Sequence, residues 1–144
     1  MEKKYSRVGV GVMIVNKQSE VLLGLRQGSH GAGEWSFPGG GIEFGDTIEK
    51  TVKKEVKEET NLEVDDLELI SVADEMRYLV EGKQYVMIGF KANSFSGELK
   101  LMEPDKFVKW EWFSLSNLPE LLFSGTESMI ISYKTGKIYQ NGQK

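Results

Sequence analysis

Apolar and polar residues alternate from Arg7 to Val15, with Val8, Val10, Val12 and Ile14 on one face. A period of two predicts a half-buried strand. Val21 to Arg26 reads as a second strand. Gly28-Ser29-His30-Gly31-Ala32-Gly33 fits neither periodicity and predicts a flexible loop. Trp35 to Phe37 predicts a short strand, stopped by Pro38 and the three glycines after it. Asp46 to Thr60 predicts a helix. Leu67 to Tyr78 and Gln84 to Ala92 predict a hairpin turning at Glu81-Gly82. Phe107 to Phe113 predicts a further strand, Pro119 a short helical turn, and Glu127 to Tyr133 a C-terminal helix. No repeat or Pro/Ser/Gly linker divides the 144 residues, which suit one domain over 1–144. Strands and two or three helices in this order predict an α+β or α/β sandwich around a mixed sheet.

One helix departs from ordinary amphipathic patterning. Asp46 suits the N-cap, and Glu49 three residues on completes a capping box. At about 100° per residue, Ile48 and Val52 share a stripe with Val56 at its margin. Lys50, Lys53, Lys54 and Lys57 lie opposite. Glu55 and Glu59 fall on the apolar stripe, and Glu58 flanks them within roughly a quarter turn. These carboxylates crowd the negative end of the helix dipole, where each anion is disfavoured by up to ~1 kcal/mol. Mutual repulsion and desolvation add to that cost. A divalent cation among them removes it, because hard cations take oxygen ligands. A solvated acidic face with lysine partners is the plainer alternative. Gly39-Gly40-Gly41 and Gly45, ahead of the helix, let backbone approach a ligand closely, although glycines also simply make tight turns.

Composition narrows the choice. The net charge of −4 argues against a nucleic-acid polymer as partner. A phosphate ligand would then need something other than net charge to neutralise it, and a bound divalent cation is one answer. No apolar run approaches the roughly 18 residues of a membrane span. Met1 to Tyr5 carries no apolar signal core. Cysteine is absent, which excludes disulfides, thiolate zinc sites and thiol nucleophiles. A cytoplasmic location is the expectation. The single histidine, His30, excludes sites built from several imidazoles.

The segment from Gly40 to Leu62 resembles the Nudix box: a glycine, five residues, a glutamate, seven residues, then Arg-Glu-apolar-x-Glu-Glu-x-Gly-apolar. Gly40 opens it, Asp46 stands in the first acidic place, and Lys54-Glu55-Val56-Lys57-Glu58-Glu59-Thr60-Asn61-Leu62 closes it. Asp46 keeps the charge of the glutamate it replaces. Asn61, in place of glycine, tolerates the left-handed conformation of a helix end. Lys54, in place of arginine, lacks the planar fork. Arg7 to Val12, Val21 to Gly24, Gly31-Ala32-Gly33, Pro38-Gly39-Gly40, Glu43-Phe44-Gly45, Glu103-Pro104 and Trp110-Glu111-Trp112 resemble a subgroup of nucleoside-triphosphate diphosphatases that also degrade thiopurine nucleotides. ADP-ribose hydrolases carry a proline beyond the box, where this chain has Glu75-Met76-Arg77-Tyr78. Tyr78 also misses the tyrosine spacing of dinucleoside-polyphosphate hydrolases.

The resemblance implies an α/β/α sandwich and a small-molecule nucleotide substrate. It implies magnesium, with manganese as an alternative, held by Glu55, Glu58, Glu59 and the Gly40 carbonyl. Glu55 or Glu58 would take the proton from water. The reaction implied is hydrolysis of (deoxy)nucleoside triphosphates to monophosphate and pyrophosphate. The alternatives are another nucleoside diphosphate derivative (ADP-ribose, a nucleotide sugar, oxidised dGTP) and a non-catalytic nucleotide-sensing domain. Such sensing domains usually lose the box glutamates that this chain keeps. Arg26 is a candidate phosphate clamp or a surface arginine; Phe37 and Trp110 are candidate base contacts or core residues. Trp112 reads as core and His30 as non-catalytic. Glu43, Asp46 and Glu103 are additional acids of the candidate site. A homodimer is implied, and the apolar Tyr78, Tyr85, Met87 and Phe90 of the hairpin agree with it.

Overall fold

Strand β1 (Arg7–Ile14) has two different faces, and the molecule is layered on them. Val10, Val12 and Ile14 point to one side, where they pack with Leu22, Leu62, Val64 and the Val52 and Val56 of helix α1 (Ile48–Thr60). Met13 points to the other, where it packs with Val21, Leu23, Phe37, Ile70 and the Met129 and Ile130 of helix α2 (Ser124–Thr135). A computed structural model describes residues 3–142. The expected 1–144 domain, and the first two residues of the N-terminal reading, extend beyond the described residues.

Around β1 the strands are β2 (Glu20–Arg26), β3 (Trp35–Ser36), β4 (Gly39–Gly41), β5 (Glu63–Glu75), β6 (Tyr85–Ser96), β7 (Phe107–Ser114) and β8 (Tyr139–Gln140). One sheet has the order β4-β1-β6-β5-β8, the other β3-β2-β7. β1 runs parallel to β6, and β6 runs antiparallel to β5, so the larger sheet is mixed. With a helix on each face this is the expected α+β sandwich. Among the described residues no helix is long and apolar enough to cross a membrane.

Five local expectations are corrected. Thr47, not Asp46, caps α1: its hydroxyl accepts from the Lys50 N–H at 3.1 Å. Asp46 instead pairs with Lys50 and Lys54, each at 3.0 Å. The buried stripe of α1 is Thr51, Val52, Val56, Glu59 and Thr60, while Ile48 is exposed and Glu58 points outward. The phase is therefore turned by about one residue. The three glycines after Pro38 do not merely end a strand. They form β4, in which Gly39, Gly40 and Gly41 pair with Gly11, Val10 and Gly9. A Cβ on Gly39 would sit 2.0 Å from the Val10 carbonyl oxygen, so only glycine permits this approach. The hairpin connection is longer than a tight turn, because β5 stops at Glu75 and Tyr78 turns inward, leaving a 3-10 turn at Leu79–Glu81. Near Pro119 there is no helical turn; the chain runs extended into α2, with Leu122 bridged to Trp35. Asn61 adopts a left-handed φ of 68°, and its N–H reaches the Lys57 carbonyl.

Candidate active site

The last two turns of α1 lie over β4, and this contact creates the site's acidic end. Glu59 is only 4% exposed, and its Oε1 accepts the Gly39 N–H at 2.9 Å. Burial pushes its pKa up to about 8; the Gly39 N–H opposes that shift, and the charges of Glu55 and Glu103 add to it. Glu55 is half-buried, and its pKa is raised by burial and then by Glu58. A Cβ on Gly40 would lie 2.6 Å from the Glu55 carboxyl carbon, so the glycine leaves room for that carboxylate. Glu103 faces the same region. Its Oε1 is buried without a hydrogen bond, since Lys106 at 3.7 Å is too distant for one.

Among the described residues, no three His, Cys or acidic side chains stand assembled around one point. What is assembled is a pair, Glu55 and Glu59, against the Gly39-Gly40 backbone. Glu58 is exposed next to it and Glu103 is half-buried nearby. Two crowded carboxylates disfavoured as anions and a buried oxygen lacking a donor fit a hard divalent cation.

From this end a cleft of about 530 Å³ crosses the α2 side of the larger sheet. Its floor is bare. Cβ atoms on Gly9 and Gly11 would meet the sulfurs of Met87 and Met129 at 2.8 and 2.7 Å. Arg26 lies in the wall. Its Nε donates to the His30 carbonyl at 3.1 Å and its Nη1 to the Ser36 hydroxyl at 3.3 Å. Its guanidinium sits 4.3 Å above the Phe123 ring. Burial lowers its pKa, and the field of Glu59 opposes that shift. The far end is aromatic. The His30 ring meets Tyr78 edge-on at 4.5 Å and Phe123 at 5.4 Å. Burial, then Arg26, lowers the His30 pKa. The Tyr78 hydroxyl donates to Glu34 at 3.1 Å, and burial pushes its pKa up to about 12.

The other candidates fall into two groups. Phe37 is buried in the α2-side core yet reaches the cleft, and its N–H donates to the Thr126 hydroxyl at 2.9 Å. Trp110 lies behind the site, in the α1-side core. Its indole N–H holds the Glu59 carbonyl at 3.1 Å, and its ring packs on Phe107. Trp112 packs against the same core. Glu43 and Asp46 lie outside the cleft, and both pair with Lys54. Tyr78, Tyr85 and Met87 line the cleft, and Phe90 packs against the core. The apolar surplus of the hairpin is therefore used within one chain and is no cue to a dimer.

Glu75, Tyr78, Phe123, Thr126 and Lys106 also line the cleft and were not named as site residues from the sequence. They come from three separate segments with no shared motif. One signal was available: the face of β1 opposite its valines carries Gly9 and Gly11 in succession, which marks a bare stretch of floor.

The comparisons agree with this geometry. The NUDIX domain model matches residues 5–132. The chain is 31% identical over 124 residues to an RNA pyrophosphohydrolase of Pseudoalteromonas translucida, covering 75% of this chain and 70% of that protein. It superposes on a MutT NUDIX hydrolase from Burkholderia pseudomallei with a TM-score of 0.84 and 31% identity, covering 89% of this chain and 98% of the other. A MutT protein from Methanosarcina mazei shares the fold at 22% identity and TM-score 0.80, covering 95% and 99%. The match spans most of the chain and includes the glutamate helix and its glycine strand, so the chain belongs to the Nudix family and is a Nudix hydrolase.

Proposed function

We propose that this protein hydrolyses (deoxy)nucleoside triphosphates to monophosphate and pyrophosphate with magnesium, manganese being able to replace it. The observation that carries this reading is the Glu55–Glu59 pair against Gly40, at one end of a cleft whose wall holds Arg26. Glu55 and Glu59, with the Gly40 carbonyl, would hold the cation, and the exposed Glu58 would turn in to join them. When bound, it offsets charge on the phosphate chain and its leaving group. Arg26 is fixed by His30 and Ser36 and binds a phosphate oxygen. Glu58 or Glu55 removes the proton from the attacking water; such neighbouring carboxylates titrate together. Phe37 and the aromatic far end exclude water around the base.

The test is magnesium-dependent release of pyrophosphate from a nucleotide panel: dGTP, dCTP, an oxidised guanine triphosphate, ADP-ribose and a triphosphorylated RNA end. Triphosphates are expected to have the highest kcat/KM, with pyrophosphate and not orthophosphate as product. Label from oxygen-18 water shows which phosphorus is attacked. ADP-ribose tenfold better than every triphosphate, on the order of 1.4 kcal/mol, would remove the substrate class and leave the diphosphate-cleaving chemistry. A cytoplasmic homodimer completes the proposal, the dimer resting on family resemblance alone. A monomer in sedimentation at micromolar concentration removes it.

A further inference from the structure

We propose that Lys106 binds the terminal phosphates of the substrate and so makes the site select by the length of the phosphate chain. The inference rests on the triphosphate reading above and adds to it a residue for the end of that chain. The need comes from charge. Among the described residues lining the cleft, Glu55, Glu59, Glu75 and Asp105 are acids, and Arg26 and Lys106 are the arginine and lysine that stand against them. Arg26 is held in the wall by His30, Ser36 and Phe123. Lys54, the lysine of the box, is turned away onto Glu43 and Asp46. A triphosphate carries more negative charge than one divalent cation and one guanidinium offset. Lys106 is placed to meet the rest.

The backbone of Lys106 is fixed while its side chain is not. Its N–H donates to the Glu103 carbonyl at 2.9 Å, and its own carbonyl accepts the Gln27 N–H at 2.9 Å. Phe107, the next residue, is buried. The stem therefore starts from a rigid point at the edge of the cleft. Beyond it the side chain is 59% exposed, and Nζ stands 3.7 Å from Glu103 Oε1, too far for a hydrogen bond. An exposed pair of that kind is weak, and a phosphate oxygen offers a shorter, charge-assisted bond. The charge of Lys106 already reaches the acidic pair, where it opposes the rise that burial imposes on the Glu55 and Glu59 carboxyls. The other end of the cleft is lined by the rings of His30, Tyr78 and Phe123, which suit a base. The terminal phosphates then point to the acidic end, where Lys106 stands. A substrate whose second phosphate is esterified, as in ADP-ribose, brings a neutral sugar to that end and gives the ammonium less charge to bind.

Lys106→Met keeps the length of the stem and removes the charge; Lys106→Arg keeps the charge. For these and the unaltered protein, calorimetry gives the Kd of pyrophosphate and of GMP at one magnesium concentration, and of magnesium alone. Pyrophosphate binding should weaken about ten- to a hundredfold in Lys106→Met and return to within about fivefold in Lys106→Arg. GMP should weaken by less than about threefold. Magnesium alone should bind Lys106→Met at least as tightly, because a positive charge near its site is gone. The kcat/KM for dGTP should fall together with the pyrophosphate affinity. Pyrophosphate bound equally well by Lys106→Met, or not bound by the unaltered protein, overturns the proposal. So does an equal loss for pyrophosphate, GMP and magnesium, which would mark a structural disturbance. So does a Lys106→Arg protein as weak as Lys106→Met. If pyrophosphate binding depends on Lys106 while no triphosphate is cleaved, the role of Lys106 stands and the triphosphate reaction falls. If Lys106→Met cleaves triphosphates as well as the unaltered protein does, the reaction stands and this assignment falls.

Discussion

Glu59→Gln is expected to fold as the unaltered protein does and to lose roughly a thousandfold or more in turnover, the scale of several kcal/mol of lost charge stabilisation in the transition state. Folding survives because the glutamine Oε1 can still accept the Gly39 N–H, now made at 2.9 Å, and because the buried side chain keeps its shape. Activity falls because the amide brings no charge to a cation. A buried carboxylate disfavoured as an anion is also removed, so thermal stability without divalent cations should rise. Circular dichroism, thermal unfolding and pyrophosphate release on one preparation check all three. Near-normal turnover would show that the cation is held elsewhere.

The second large effect concerns pH. In protein stripped of divalent cations, burial pushes the Glu59 carboxyl from 4.5 up to about 8. Between these values the folded chain keeps a proton that the unfolded chain has lost. The stability this contributes is fully present below about pH 4.5 and is lost as pH rises through about 8, by at most ~1.4 kcal/mol per pH unit. The melting temperature should therefore fall between about pH 5 and pH 8, and Glu59→Gln should flatten that slope. Magnesium should act in the opposite sense. It requires the ionised form, so its stabilising effect should grow as pH rises. The Glu55→Gln/Glu59→Gln double variant should show neither the slope nor the magnesium shift. A melting temperature that rises over the same range would contradict the burial of Glu59 as a carboxylic acid.

The acidic end of the site was legible in the sequence because it is local. Glu55 and Glu59 are one helical turn apart, and their glycine partners precede the same helix. Periodicity placed the acids on the inner face but misjudged the phase. It gave Ile48 a burial that belongs to Thr51, and it drew Glu58 inward. Thr47 and Asp46 are both good caps, and the cap went to Thr47 because Asp46 has two lysines to bind. The far end was not legible. Glu75, Tyr78 and Phe123 meet through the β5–β6 pairing and the docking of α2, and neither contact leaves a short-range pattern. Trp110 illustrates the same limit. A tryptophan in a strand can face a ligand or the core, and here its N–H holds the Glu59 backbone from behind.

Titration of magnesium into the protein by calorimetry, beside the Glu55→Gln/Glu59→Gln variant, tests the site most directly. The account predicts saturable binding with proton release by the unaltered protein and none detectable in the variant. Equal binding by both, or none by either while turnover continues, would contradict it.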